Sequence, residues 1–65
     1  MPLVQVSMWK GRSREQKKKL IKSVTTAVAE SNSCPAESVW VIVNEVDKAD
    51  WGMAGECSAD KFPDK

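Results

Sequence analysis

A chain of 65 residues can form one small domain, and a domain of this size buries only about 60% of its unfolded surface. The sequence has no histidine and only two cysteines, which excludes Ser-His-Asp and Cys-His catalysis and disfavours a structural zinc site. The net charge of +1 gives no overall attraction to nucleic acid or to an anionic membrane. We therefore expect one domain over residues 1–65 that is stabilised by association between copies.

The N-terminal segment predicts a strand. Its apolar and polar residues alternate over positions 2–8, which is the period of a half-buried strand. One predicted face carries Pro2, Val4, Val6 and Met8, and the other carries Leu3, Gln5, Ser7 and Trp9. The segment lacks the basic head and continuous apolar run of a signal peptide, so we expect a cytoplasmic protein with reduced thiols.

A helix is predicted after this strand. Ser13 stands three residues before Gln16, the spacing of a capping box. A single apolar stripe follows, formed by Leu20, Ile21, Val24, Ala27 and Val28. We expect the helix to end near residue 31, where residues 32–35 turn the chain.

Residues 38–46 form the second predicted strand, and their apolar run is typical of a strand that is covered on both faces. Residues 51–56 predict a small glycine-bounded hairpin or loop, and residues 58–65 predict a loose tail. Strand, helix and strand in this order predict an α/β fold with two parallel strands joined by a right-handed crossover. The helix covers one sheet face only, so we expect a partner copy on the other face and an obligate oligomer.

Pro2 is a candidate catalytic residue because it directly follows Met1. Methionine aminopeptidases remove Met1 before a small residue, and removal leaves proline with a free secondary amine. A terminal amine has a reference pKa of about 7.7–8.0, which suits a general base or acid near neutrality. The alternative is that Pro2 only begins a strand, where its missing N–H costs nothing.

The order of several short motifs resembles one enzyme family, the 4-oxalocrotonate tautomerases. The resemblance covers residues 2 to about 57. It is carried by Pro2, the Gly11-Arg12-Ser13 turn, Gln16, Pro35, the Ser38-Val39-x-Val41-Ile42 strand and the Trp51-Gly52-x-x-Gly55-Glu56 hairpin.

This resemblance implies a β-α-β subunit that pairs into a dimer, and a homo-hexamer built from three dimers. It also implies that Pro2 transfers a proton on a small 2-keto or 2-hydroxydienoic acid, that Arg12 binds the distal carboxylate and that Trp51 shapes the pocket. Ser38, within the strand motif, joins the substrate-binding candidates. The family uses neither a metal nor an organic cofactor.

Trp40 departs from the family pattern, because typical members have a second arginine there. An indole offers one N–H donor and no charge, so it cannot replace a guanidinium. Together with Trp9 and Trp51 it predicts a more apolar pocket, suited to an aryl or alkyl 2-keto acid with one carboxylate. Alternatively, Trp9 and Trp40 fill subunit interfaces, where tryptophan is enriched.

Three functions are consistent with these observations. The first is a cofactor-independent keto–enol tautomerase of the 4-oxalocrotonate tautomerase type. The second is a weak or inactive subunit of a hetero-oligomer, because the lost arginine at Trp40 can mean a lost active site. The third is a module that binds small hydrophobic anions without turnover. None of them involves nucleic acid or a membrane.

Overall fold

A computed structural model describes residues 1–63 of the chain. The strands are β1 (Leu3–Trp9), β2 (Trp40–Val46), β3 (Gly52–Met53) and β4 (Glu56–Cys57), and the helices are α1 (Arg14–Ser31) and α2 (Ser58–Lys61). Single 3-10 turns lie at Ala36–Ser38 and Lys48–Asp50. Within the described residues, no helix combines the length and apolar character needed to cross a bilayer.

Helix α1 begins and ends where the sequence predicts. The Gln16 backbone N–H donates to Ser13 Oγ over 3.1 Å, and the Ser13 N–H donates to Gln16 Oε1 over 2.9 Å, which confirms the capping box. After Ser31 the Asn32 N–H still donates to the Val28 carbonyl at 3.0 Å, but Ser33 adopts a positive φ of 51° and the chain turns.

Strands β1 and β2 pair in parallel, in a register that runs from Leu3 opposite Trp40 to Trp9 opposite Val46. This confirms the β-α-β unit. The second strand begins two residues later than predicted. Both the backbone N–H and the Oγ of Ser38 donate to the Pro35 carbonyl, at 3.0 and 2.9 Å, and these bonds hold residues 36–38 in a 3-10 turn.

One face of this two-stranded sheet is open. The molecule is only 13 Å thick at its thinnest, which fits one helix on one sheet. The faces of β1 and β2 alternate between half-buried and exposed positions. On the open face Leu3 is 51%, Trp40 58% and Ile42 45% exposed. A single chain therefore leaves uncovered the apolar sheet face for which the sequence predicts a partner.

The C-terminal region is more ordered than the sequence predicts. Strands β3 and β4 form the predicted hairpin, whose two-residue loop has positive φ at Ala54 (52°) and Gly55 (82°). The expectation of a loose tail from residue 58 is wrong for α2. Ser58 is fully buried and its N–H donates to the Trp51 carbonyl at 2.8 Å, which anchors the helix. Residues 64 and 65 of the predicted tail lie outside the described part.

Candidate functional site

Pro2 lies half-buried at one end of the sheet, immediately before β1. Its carbonyl accepts a hydrogen bond from the Trp40 N–H at 3.0 Å, so these two candidates lie side by side. Met1 precedes Pro2 and makes its nitrogen an amide, but Met1 is 81% exposed and is accessible to a peptidase. Ser38 is held to Pro35 just before Trp40, so Pro2, Ser38 and Trp40 belong to the same end of the sheet.

Arg12 lies beyond the opposite end of β1, in the turn that leads into α1. Gly11 gives this turn its shape, with a φ of 125° that residues with a Cβ rarely adopt. Arg12 is exposed, and within residues 1–63 it makes no hydrogen bond or ion pair. It borders a groove of about 200 Å³ lined by Met8, Arg12, Gln16, Lys17 and Leu20. A free guanidinium at such a groove can hold a carboxylate with two parallel hydrogen bonds.

The predicted base and the predicted carboxylate anchor do not meet within one chain. The seven residues of β1 separate Pro2 from the turn that carries Arg12. Six steps of about 3.3 Å along this extended strand place its ends roughly 20 Å apart. A short dicarboxylate cannot bridge that span within one chain. A site that uses both residues needs more than one copy.

The three tryptophans also separate. Trp9 and Trp51 meet edge to face, with ring centroids 6.1 Å apart and planes at 77°. Phe62 packs on Trp9 at 5.6 Å, and Lys48 Nζ lies 5.0 Å from the centre of the Trp9 ring. The Trp9 Nε1 donor is buried in this aromatic cluster, and it has no hydrogen-bond partner among residues 1–63. Trp40 is at the other end of the sheet, so one chain does not form the predicted three-tryptophan pocket.

Sequence reasoning missed Phe62 and Glu45. Phe62 stands in a segment that was expected to be loose, although it is the only phenylalanine of the chain. The sequence pattern gives Glu45 no role, but its Oε1 accepts a hydrogen bond from Lys17 Nζ at 2.8 Å. That bond is the main reason why the pKa of Glu45 lies below its usual value, and the charges of Lys17 and Lys10 and the Gly11 N–H act in the same direction.

In the described part of the chain, no group of three or more Cys, Asp or Glu side chains could hold a metal ion. The sequence candidates for proton transfer and for anion binding are Pro2 and Arg12. They could bind an anion and move a proton. Pro2, the candidate for proton transfer, and Arg12, the candidate for anion binding, lie at opposite ends of β1.

Comparison with known proteins gives one consistent answer. A 2-hydroxymuconate tautomerase of Comamonas testosteroni is 46% identical over 55 residues, which is 85% of this chain and 87% of that protein. A probable tautomerase of Ralstonia nicotianae is 49% identical over 55 residues, or 85% of this chain and 79% of that protein.

Solved structures agree with these relatives. A 4-oxalocrotonate tautomerase isozyme of Methylibium petroleiphilum superimposes with a TM-score of 0.90 at 34% identity, over 94% of this chain and 98% of that one. A heterohexameric 4-oxalocrotonate tautomerase of Chloroflexus aurantiacus gives 0.88 at 33% identity, over 92% and 97%. The family model of tautomerase enzymes matches residues 2–61. The resemblance seen in the motifs is thereby confirmed, and this chain belongs to the tautomerase family.

Proposed function

We propose that this chain catalyses the keto–enol tautomerisation of 2-hydroxydienoates or of the enol forms of 2-keto acids, without a cofactor. The observation that carries the proposal is the position of Pro2. The family match begins at this residue. Pro2 directly follows the exposed Met1 and directly precedes β1. Removal of Met1 would leave a secondary amine whose reference pKa, about 7.7–8.0, suits proton transfer near neutrality.

The reaction needs one group that both accepts and donates a proton. The amine of Pro2 takes the proton from the enol oxygen. The electron pair of the broken O–H bond forms the carbonyl, and the pair of the adjacent C=C bond moves to a conjugated carbon, which becomes more negative. The resulting ammonium returns the proton to that carbon. Substrate and product are isomers, so no other reagent is consumed. Arg12 holds a carboxylate of the substrate and replaces random encounters by a fixed geometry.

An oligomer would bring the two separated residues together. The open sheet face with Leu3, Trp40 and Ile42 is the surface that a second copy would cover. We propose a hexamer built as three dimers, in which Arg12 of one copy approaches Pro2 of another. The relative from Chloroflexus aurantiacus is a heterohexamer, so a mixed assembly with a second short chain is the alternative.

Trp40 would then change the choice of substrate. It lies next to Pro2 and supplies no guanidinium, so charge that develops near the keto end of a dicarboxylate would be less stabilised. We propose a preference for aryl or alkyl 2-keto acids with one carboxylate. If the chain turns over none of these acids, Trp40 would instead indicate an inactive subunit or a module that only binds such anions.

The test is the replacement Pro2→Ala in a purified assembly of this chain alone, assayed for ketonisation of 2-hydroxymuconate and of phenylenolpyruvate. Intact mass should show that wild-type protein has lost Met1. We expect Pro2→Ala to lower kcat by about 100-fold or more, the usual contribution of a positioned acid–base group. Equal rates in the two proteins, or full activity in protein that retains Met1, would refute the proposal. Binding of phenylenolpyruvate without proton exchange at carbon in D₂O would instead favour the binding module.

A further inference from the structure

The C-terminal segment places a third ring on the tryptophan pair formed by Trp9 and Trp51. The ring of Phe62 lies 5.6 Å from that of Trp9, with the planes inclined at 46°. Trp9 meets Trp51 edge to face at the same time. Tilted and edge-to-face arrangements are favoured geometries of aromatic pairs. Trp9 is thus in contact with rings from two later segments of the chain.

Two hydrogen bonds fix the position of Phe62. Its carbonyl accepts from Lys48 Nζ at 2.8 Å, and its backbone N–H donates to the Ser58 carbonyl at 2.7 Å. Ser58 is itself fully buried, and its N–H donates to the Trp51 carbonyl at 2.8 Å. Lys48 Nζ also lies 5.0 Å from the centre of the Trp9 ring, close enough for cation–π attraction. Lys48 therefore attaches the Phe62 backbone directly above the Trp9 ring.

A concave space opens beside the tryptophan pair. Trp51 borders a depression of about 370 Å³ within residues 49–57, and its lining includes Asp50 and Glu56. Glu56 is paired with Lys61 over 3.6 Å, whereas the Asp50 side chain makes no ion pair within the described residues. A negative charge at this depression disfavours a carboxylate there, because like charges repel. The depression therefore suits an uncharged group that can pack on an indole.

We propose that Phe62, anchored by Lys48, is a positioning residue for the tryptophan pair. The depression beside Trp51 then receives the uncharged aryl end of a substrate whose carboxylate lies at Arg12. Trp9 ends β1 and Arg12 lies in the turn that follows, so the pair and the carboxylate anchor belong to the same end of the sheet. This inference rests on the proposed function, because it assumes that Arg12 seats the substrate carboxylate. It assigns the selection of aryl monocarboxylates to the C-terminal segment.

Asp60 provides a matched control in the same segment. It is an exposed residue of α2, and its side chain makes no hydrogen bond or ion pair within residues 1–63. Asp60→Ala therefore alters the segment without removing a contact of the tryptophan pair. Phe62→Ala removes the ring, Phe62→Leu keeps apolar bulk without the ring, and Phe62→Tyr keeps the ring. Lys48→Met removes the charge and the Nζ donor, while Lys48→Arg restores a cation that can lie on an indole.

The first measurement follows the geometry of the tryptophan pair. Two indoles this close couple their electronic transitions, which gives paired far-UV circular dichroism bands of opposite sign. We expect these bands in the wild type, Asp60→Ala and Phe62→Tyr, their loss in Phe62→Ala and Lys48→Met, and their recovery in Lys48→Arg. Light scattering verifies that each variant has the mass of the wild-type assembly. Phe62→Leu takes the place of Phe62→Ala in every comparison if the alanine variant does not assemble.

A binding experiment separates this inference from the proposed chemistry. In the Pro2→Ala background, calorimetric titration gives the dissociation constants of cinnamate, an aryl monocarboxylate, and of muconate, a dicarboxylate without a ring. Phe62→Ala should raise the value for cinnamate by about two- to tenfold, the range for one aromatic contact, and the value for muconate by less. Asp60→Ala should change neither. Asp50→Asn should tighten muconate more than cinnamate, because it removes a like charge.

The inference is overturned if cinnamate does not bind, or if it binds Phe62→Ala and Asp60→Ala equally well in assembled protein. It is also overturned if Phe62→Ala weakens cinnamate and muconate by the same factor, because the effect would then not be specific to the aryl group. The same holds if Lys48→Met retains both the paired bands and the cinnamate affinity, or if Asp50→Asn leaves muconate binding unchanged. A fully active Pro2→Ala protein would refute the acid–base chemistry, while the cinnamate measurement would still decide the role of Phe62.

Discussion

The backbone N–H of Trp40 donates to the carbonyl of Pro2 over 3.0 Å, so the predicted base is tied to the residue that departs most from the family pattern. The bond continues the parallel pairing of β1 and β2 by one residue beyond Leu3. Substitutions at position 40 are therefore made beside Pro2, whereas substitutions at Arg12 are made at the far end of the strand.

Replacing Trp40 by arginine should improve turnover of a dicarboxylate. Arginine restores a bidentate, charged donor at this position, and electrophilic help of this kind can be worth about 100- to 1,000-fold in rate. Trp40→Lys supplies charge without the fork and should gain less. The measurement is kcat/KM for 2-hydroxymuconate and for phenylenolpyruvate. An unchanged ratio of the two values in an intact Trp40→Arg assembly would show that position 40 does not face the substrate.

Loss of the Arg12 guanidinium should weaken substrate binding more than it slows the chemical step. We expect Arg12→Ala to raise KM for 2-hydroxymuconate by about 10- to 100-fold, the range for hydrogen bonds to a charged group. Arg14→Ala is the matched control, since Arg14 is an exposed arginine that begins α1 two residues along and is not among the residues that line the Arg12 groove. Equal effects of the two substitutions would mean that Arg12 is only a surface residue.

A charge on the open sheet face should prevent assembly. Ile42 is 45% exposed there, and Ile42→Asp would bury an unpaired carboxylate in any interface formed by that face, at a cost of several kcal/mol. Ile21→Asp changes an isoleucine of similar exposure, 38%, on α1 and should leave the assembly intact. Light scattering gives the mass of each variant. Oligomers that persist in Ile42→Asp would place the subunit interface elsewhere.

Acid should remove the stability that Glu45 contributes. Its pKa is lowered in the folded protein, mainly by Lys17, so the unfolded chain binds this proton more readily. The contribution is present above the unfolded pKa of about 4.3 and is lost as the pH falls through the lower folded value. Urea unfolding at pH 7 and pH 3 should therefore show a smaller loss of stability for Glu45→Gln than for the wild type.

The control for this pH experiment is Glu15→Gln. Glu15 is 85% exposed and lies 4.0 Å from Lys18, so its removal should alter the acid response less than removal of Glu45. If Glu45→Gln loses as much stability on acidification as the wild type does, the Lys17 bond does not stabilise the folded protein.

Local sequence patterns were sufficient to predict the strands, the helix and the hairpin that position the candidate site. The alternation of Leu3–Trp9, the Ser13 and Gln16 cap, the stripe of α1 and the glycine-bounded hairpin all depend on residues close in sequence, and the structure contains each of them. The boundary error at β2 has a local cause, the Ser38 bonds to Pro35, which an apolar run does not reveal. The short motifs likewise sufficed to recognise the tautomerase family.

The amino-acid order alone thus specified the strands, the helix, the apolar face left open and the candidate groups Pro2 and Arg12. Which of these groups meet depended on contacts between distant residues, for which a linear pattern has no signal. The extended strand β1 puts Pro2 and Arg12 at opposite ends, whereas Glu45 contacts Lys17 and the tail residue Phe62 contacts Trp9. A strand holds its two ends apart by its length, and only the packing of α1 and of the C-terminal segment against the sheet brings the other pairs within contact distance.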